Sequence, residues 1–307
     1  MKLKKILAVV VAGVSILTGC AASNEIKTEE VKGEKVQVNQ ESSEVQEVEE
    51  LNVVSITVAA TQVLDKLGVD LVGVPTTKST LPTRYEGVTQ VGQVLNPDFE
   101  IVASLDADLV IIDSMFKEDV EESMKAYGMN AFYFNTSTYT SFLESIDELG
   151  EAVGRKEEAL ELVKELKSVE EKIKNKMSGE APTVAILFGG GENFMLATDK
   201  SYLGDLVHTA GAHNITDDLA IDSDYISFSM EQIIASNPDF ILRFAHGNLE
   251  ETKKAFDQAF EKNPAFATLD AVKEGRVIDL DPGVFGVSAN IHVVNAIQTL
   301  GEIFYGE

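Results

Sequence analysis

Two short stretches of the 307-residue chain read alike, and a side chain able to bind a soft or borderline metal follows each at the same distance. Asn96-Pro97-Asp98-Phe99-Glu100 predicts a helix start, and Asp106-Ala107-Asp108 then leads into the apolar run Leu109-Val110-Ile111-Ile112. Ser227-Phe228-Ser229-Met230-Glu231 does the same through Asn237-Pro238-Asp239 into Phe240-Ile241-Leu242, and the two stretches align without a gap. Met115 stands fifteen residues after Glu100, and His246 fifteen after Glu231. Both follow a predicted strand, and in open parallel sheets ligands collect beyond the carboxyl ends of the strands. A thioether and an imidazole brought to one cleft are axial ligands of the kind that hold haem iron.

Other chemistries lack their parts. Gly189-Gly190-Gly191 follows a strand, but no Gly-Lys-Ser/Thr comes after it and Glu192 would repel a phosphate, so it reads as a tight turn. His208, His213 and His292 are scattered, without the paired spacing of a zinc motif. There is no Gly-x-Ser-x-Gly elbow, and the only cysteine, Cys20, lies near the N-terminus, which leaves hydrolase chemistry without its usual nucleophiles. The reading is therefore of a binding protein and not an enzyme. One cysteine also excludes a disulfide within the chain, a zinc cluster and a C-x-x-C-H attachment, so any haem must be held non-covalently.

The elements that would position Met115 and His246 alternate as in a wrapped α/β protein. Val53 to Val58 reads as a strand and Ala59 to Leu67 as the helix that follows with almost no loop; Leu71-Val72-Gly73-Val74 is a second short strand ended by Pro75. The alternation continues as a helix from Pro97 to Leu105, a strand Leu109 to Ile112, a helix Glu118 to Tyr127 and a strand Ala131 to Phe134. From Lys156 to Met177 no Gly or Pro occurs, and Ala159, Leu162, Val163, Leu166, Val169 and Ile173 form one helical stripe. Such a helix is about 33 Å long, enough to join two lobes. Ser178 to Pro182 breaks it, and Val184 to Phe188 restarts the alternation.

The first fifty residues set the compartment. Lys2, Lys4 and Lys5 precede an apolar run, Ile6 to Leu17, too short to span a bilayer and laid out as a secretory signal. It ends in Leu17-Thr18-Gly19-Cys20, which resembles the lipobox of bacterial lipoproteins and makes Cys20 the acylated anchor. Residues 21–50 hold nine Glu, three Lys and no aromatic residue, the composition of a flexible acidic tether. The expected organisation is a leader at 1–19, anchor and tether at 20–50, an N-terminal α/β lobe at 51–150, a spanning helix at 151–180 and a C-terminal α/β lobe at 181–307. The net charge of −26 becomes −29 once three leader lysines are removed; that field repels nucleic acid and anionic lipid, so the membrane is reached through the lipid alone.

Four stretches make the resemblance specific: Val63-Leu64-Asp65-Lys66-Leu67, Leu81-Pro82-Thr83-Arg84-Tyr85, the run from Ala197-Thr198-Asp199-Lys200-Ser201 through Tyr202-Leu203-Gly204-Asp205-Leu206-Val207, and Ile241-Leu242-Arg243-Phe244-Ala245-His246-Gly247. Through them everything after residue 50 resembles the class III periplasmic-binding-protein-like receptors, two α/β lobes with parallel-type sheets joined by one long helix. Within these it is similar to the haem-binding lipoproteins of Gram-positive iron-regulated surface determinant systems. The resemblance implies a monomeric, lipid-anchored receptor on the outer face of the cytoplasmic membrane that hands haem to an ABC permease; a ferric-siderophore or cobalamin receptor of the same family is the alternative.

The resemblance implies His246 as one iron ligand. It also implies a Met in a Gly-x-x-Met loop, where this chain instead has Gly92-Gln93-Val94-Leu95. Leu95 cannot ligate iron. Either iron is five-coordinate, or another side chain, with Met115 as the candidate, fills the sixth position or merely packs on the porphyrin, or the cargo is not haem. The junction Thr57-Val58-Ala59-Ala60 should offer free amides at a helix N-terminus, an anion site; the resemblance places haem propionates there with Lys78 nearby, although Lys78 reads equally as a solvated loop residue. Ala289 and Tyr225 complete the expected cleft with Leu95. Glu100 and Glu231 either oppose the helix dipole or, as the resemblance implies, dock one on each lobe to basic residues of the permease.

Overall fold

The computed structural model of the protein describes residues 51–306 except positions 178, 191, 192, 228, 247 and 248. The leader, Cys20 and the tether lie outside the described residues, as do Gly191, Phe228 and Gly247.

The first half holds β1 (Val53–Ser55), α1 (Val58–Lys66), β2 (Gly73–Val74), β3 (Thr89–Gln90), β4 (Gly92–Gln93), β5 (Asn96–Pro97), α2 (Phe99–Ser104), β6 (Leu109–Asp113), α3 (Lys117–Tyr127), β7 (Ala131–Phe134), α4 (Tyr139–Ala152) and α5 (Lys156–Lys174). Five of its strands form one sheet in the order β3-β2-β1-β6-β7, every pair parallel. The central strands are short aliphatic runs buried on both faces, as a helix-covered parallel sheet requires.

The second half holds β8 (Thr183–Gly190), β9 (Asn193–Ala197), α6 (Tyr202–Thr209), β10 (His213–Asn214), β11 (Tyr225–Ser227), α7 (Met230–Ser236), β12 (Phe240–Ala245), α8 (Leu249–Lys262), α9 (Asp270–Lys273), β13 (Val277–Asp279) and α10 (Val293–Tyr305). Its sheet runs β11-β9-β8-β12-β13, with β10 pairing the start of β8. Where parallel-type sheets were expected, the first is wholly parallel and the second keeps a parallel centre but is mixed, since β8 and β9 form an antiparallel hairpin and β11 adds antiparallel to β9.

The internal echo is present in the backbone. The same offset, 131 positions, separates the starts of α2 and α7, the starts of β6 and β12, and the paired residues Val53↔Leu109 and Val184↔Phe240. It also separates Asp106 and Asn237, the two non-glycine residues with positive φ (48° and 40°) among the described residues. Asp and Asn tolerate that left-handed conformation better than most side chains, which is why each helix can end there and feed directly into its strand.

The halves share a core. One buried cluster takes in Ile111 and Phe142 of the first half, Leu162 and Ile173 of α5, and Leu206, Phe244 and Ile297 of the second. The helix α5 is about 28 Å long at 1.5 Å per residue, three residues shorter than expected, and its stripe packs on α4 and α10. Fit there is close: a Cβ on Gly301 would lie 2.9 Å from Ile173 Cγ1. Across the halves, the Ala289 amide donates to the Thr136 carbonyl (2.8 Å), and the Thr140 amide donates to Asp205 (3.1 Å).

The quoted motifs outside the strand ends are scaffold. Arg84 pairs with Asp65 and Asp70, and the Tyr85 hydroxyl donates to the Val69 carbonyl at 2.9 Å. In the long run, Ser201 caps α6 by accepting from the Gly204 amide, and a Cβ on Gly204 would sit 1.9 Å from the Thr198 carbonyl oxygen, so only glycine fits.

Candidate ligand cleft

The strand β1 ends three residues earlier than its apolar run suggested, because hydroxyls intervene. Ser55 Oγ donates to the Thr57 carbonyl (3.0 Å), and Thr61 Oγ1 lies 2.9 Å from Ser55 Oγ and 2.8 Å from the same carbonyl. This buried knot turns the chain from strand into helix within two residues. Thr57, in extended conformation, is the N-cap of α1 but makes no side-chain capping bond. The first intrahelical bond is donated by Thr61 to Thr57, so the amides of Val58, Ala59 and Ala60 have no helical partner.

Val58 and Ala59, which carry two of these amides, line a cavity of about 910 Å³, within the usual range for a small-molecule site. Its walls are the β1–α1 junction, the loop Pro75–Ser79, the β4–β5 hairpin tip, Asp113 with Thr136, and the segment Ser288–Asn290 with His292. Asp113 is occupied structurally: one oxygen accepts from the Met115 amide (2.9 Å) and the other from Thr136 Oγ1 (2.7 Å). Lys78 is the Lys or Arg side chain of this lining.

The carboxyl end of the second sheet is aromatic. Phe188 of β8 lies 4.6 Å from Tyr225, 5.9 Å from Phe244 and 6.3 Å from the imidazole of His246, centroid to centroid. His246 is the first residue beyond β12, exposed, and its amide donates to the Gly189 carbonyl at 2.9 Å. Burial, with Asp224 adding, pushes the Tyr225 phenol up from its ordinary pKa, so it stays a protonated donor.

Of the expected cleft residues, Val58, Ala59, Lys78, Leu95 and Ala289 line the cavity. Ala60 does not: it is fully buried in the shared core. Tyr225, His246 and Met115 stand outside the lining, the first two around Phe188 and Met115 71% exposed, two residues beyond Asp113. Glu100 and Glu231 are exposed on the first turns of α2 and α7. Sequence reasoning missed Phe188 and His292. The offset of 131 that relates β1 to β8 makes Phe188 the counterpart of Thr57 and would have found it; nothing in the spacing of His292 brings it to the cavity.

Two sheets of matching strand order, with a cavity and an aromatic cluster at their carboxyl ends, define a ligand-binding protein of the two-lobed α/β class. Residues 53–284 match the periplasmic binding protein family, and the chain belongs to that family. It is 36% identical over 307 residues to the high-affinity heme uptake system protein IsdE of Staphylococcus aureus (strain MRSA252), covering 99% of each chain. Among solved structures it is similar to an ABC transporter substrate-binding protein from Listeria monocytogenes EGD-e (TM-score 0.75, 34% identity, 84% of this chain and 100% of that one). It is also similar to S. aureus IsdE complexed with heme (TM-score 0.70, 38% identity, 83% and 99%).

Proposed function

We propose that the protein is the substrate-binding component of an ABC importer that captures haem non-covalently between its two halves and delivers it to the permease, without enzymatic activity. The observation that carries this reading is the match, over 99% of both chains, to a protein named for heme uptake whose solved structure holds heme. In this reading His246 ligates the iron, and Leu95 and Tyr225 cover the porphyrin. The amides of Val58, Ala59 and Ala60 meet the propionates with Lys78, and Ala289 closes the wall. Met115 packs against the ring from the rim. Glu100 and Glu231, at equivalent places in the two halves, dock to the permease. The lobes are those expected at 51–150 and 181–307 with the joining helix between, held at the outer face of the membrane by a lipid on Cys20.

Titration with hemin tests this. The expected result is a Soret band saturating at one haem per chain, weakened or shifted in His246→Ala; absence of a saturable band would overturn it. A second reading, a ferric-siderophore or cobalamin receptor, is favoured by two observations: Leu95 cannot ligate iron, and His246 stands outside the cavity lining. Competition between hemin, ferric siderophores and cobalamin separates the two.

A further inference from the structure

The fold gathers two histidines and an aspartate that sequence spacing left apart. His208 closes α6, His213 opens β10, and Asp217 follows in the next turn. One ligand atom from each lies within 4.8 Å of the other two. His208 Nε2 is 3.0 Å from Asp217 Oδ1, and His213 Nδ1 is 3.6 Å from Asp217 Oδ2. Zinc-bound atoms about 2.0–2.1 Å from the metal stand roughly 3.3–3.4 Å apart in a tetrahedron, so these separations bracket the edge of a zinc site. The carboxylate is already oriented, since Asp217 Oδ2 accepts from the Asn214 amide at 3.0 Å. Asn214 is fixed in turn by its side-chain amide, which donates to the Ala197 carbonyl at 2.9 Å.

We propose that His208, His213 and Asp217 form a binding site for a first-row divalent cation of the zinc class. Two imidazoles and one carboxylate favour zinc, nickel or copper over magnesium or calcium, which take oxygen ligands. The side chains are 39%, 65% and 22% exposed, so the coordination sphere is open to solvent and is completed by water or by a donor from a partner. The chain's net charge of −26 favours a cation anywhere on its surface. The site is distinct from the ligand cleft. His213 pairs with Thr183 at the start of β8, whereas His246 is held to Gly189 at its end, and six strand steps put about 20 Å between them. A bound ion would staple the end of α6 to the turn after β10.

Calorimetric titration of the full chain with zinc chloride, Cys20 blocked by alkylation, tests this, with magnesium for comparison. The expected result is zinc binding whose affinity falls at least about tenfold in His213→Ala and in Asp217→Asn, with a zinc-induced rise in unfolding temperature confined to the wild type. Asp217→Asn keeps an oxygen acceptor for the Asn214 amide, so it tests the site even if His213→Ala folds poorly. Anomalous diffraction at the zinc edge should place the ion among the three side chains. No zinc binding, equal binding in both variants, or an ion located at His246 or His292 would overturn the proposal.

Discussion

Leu95 offers the sharpest test of how the cleft recognises its ligand. It sits in the two-residue turn of the β4–β5 hairpin, lines the cavity, and is 77% exposed, the most exposed large apolar side chain among the described residues. The hairpin holds it there firmly: Gly92 adopts φ 94°, and a Cβ on it would lie 2.7 Å from the Asp98 amide nitrogen and 2.8 Å from the Asn96 carbonyl oxygen. Full burial of a Leu side chain is worth about 1.5–3 kcal/mol, so a ligand that covers the exposed three-quarters gains about 1–2 kcal/mol. Leu95→Ala should therefore weaken hemin binding by roughly 5- to 30-fold. The free protein should hardly change, within about 0.5 kcal/mol, because the side chain contributes little to the core. Fluorescence-quenching titration of hemin beside chemical unfolding of the free protein reads both quantities. Unchanged affinity would mean that the ligand does not reach the hairpin; a matching loss of stability would mean that Leu95 packs and does not recognise.

Three further outcomes follow from the same geometry. Val58→Pro removes one free amide at the first helical position, where proline is tolerated, and Thr57 already has the extended backbone that a following proline requires; hemin affinity should fall by about two- to fivefold, in keeping with a helix-terminus interaction of roughly 0.3–1 kcal/mol, and the difference should vanish for a porphyrin with esterified propionates. Met115→Ala should leave the Soret maximum where it is, as follows if the thioether packs on the ring without ligating the iron; a shift would identify the thioether as the sixth iron ligand. Gly204→Ala should cost more than about 3 kcal/mol in denaturant unfolding, because the added methyl meets a backbone carbonyl that cannot move aside.

Much of the scaffold was legible because its signals are local. Ala131 to Phe134 is a strand as expected, the helix expected from Glu118 begins one residue earlier, at Lys117, and α5 follows its apolar stripe from Lys156. The echo survived as a shared register because the Asp and Asn that end the two helices have the same backbone preference. Misreadings came where side chains compete with periodicity. The hydroxyls of Ser55 and Thr61, both held to the Thr57 carbonyl, cut β1 short inside an apolar run, and β8 pairs with β9 antiparallel where strand-helix alternation was expected to continue.

The sequence by itself determined which residues can do chemistry here and that most of them sit just beyond strands, because residue type and short-range periodicity are properties of neighbours along the chain. Tertiary structure alone decided which of them meet. It put Ser288–Asn290 and His292 against the start of α1, turned the Ala60 methyl into the core, left His246 beside Phe188, and drew His208 and His213 onto Asp217. These convergences depend on strand order and on how α4, α5, α6 and α10 pack into one core, and such long-range packing leaves no periodic trace in the residues it brings together.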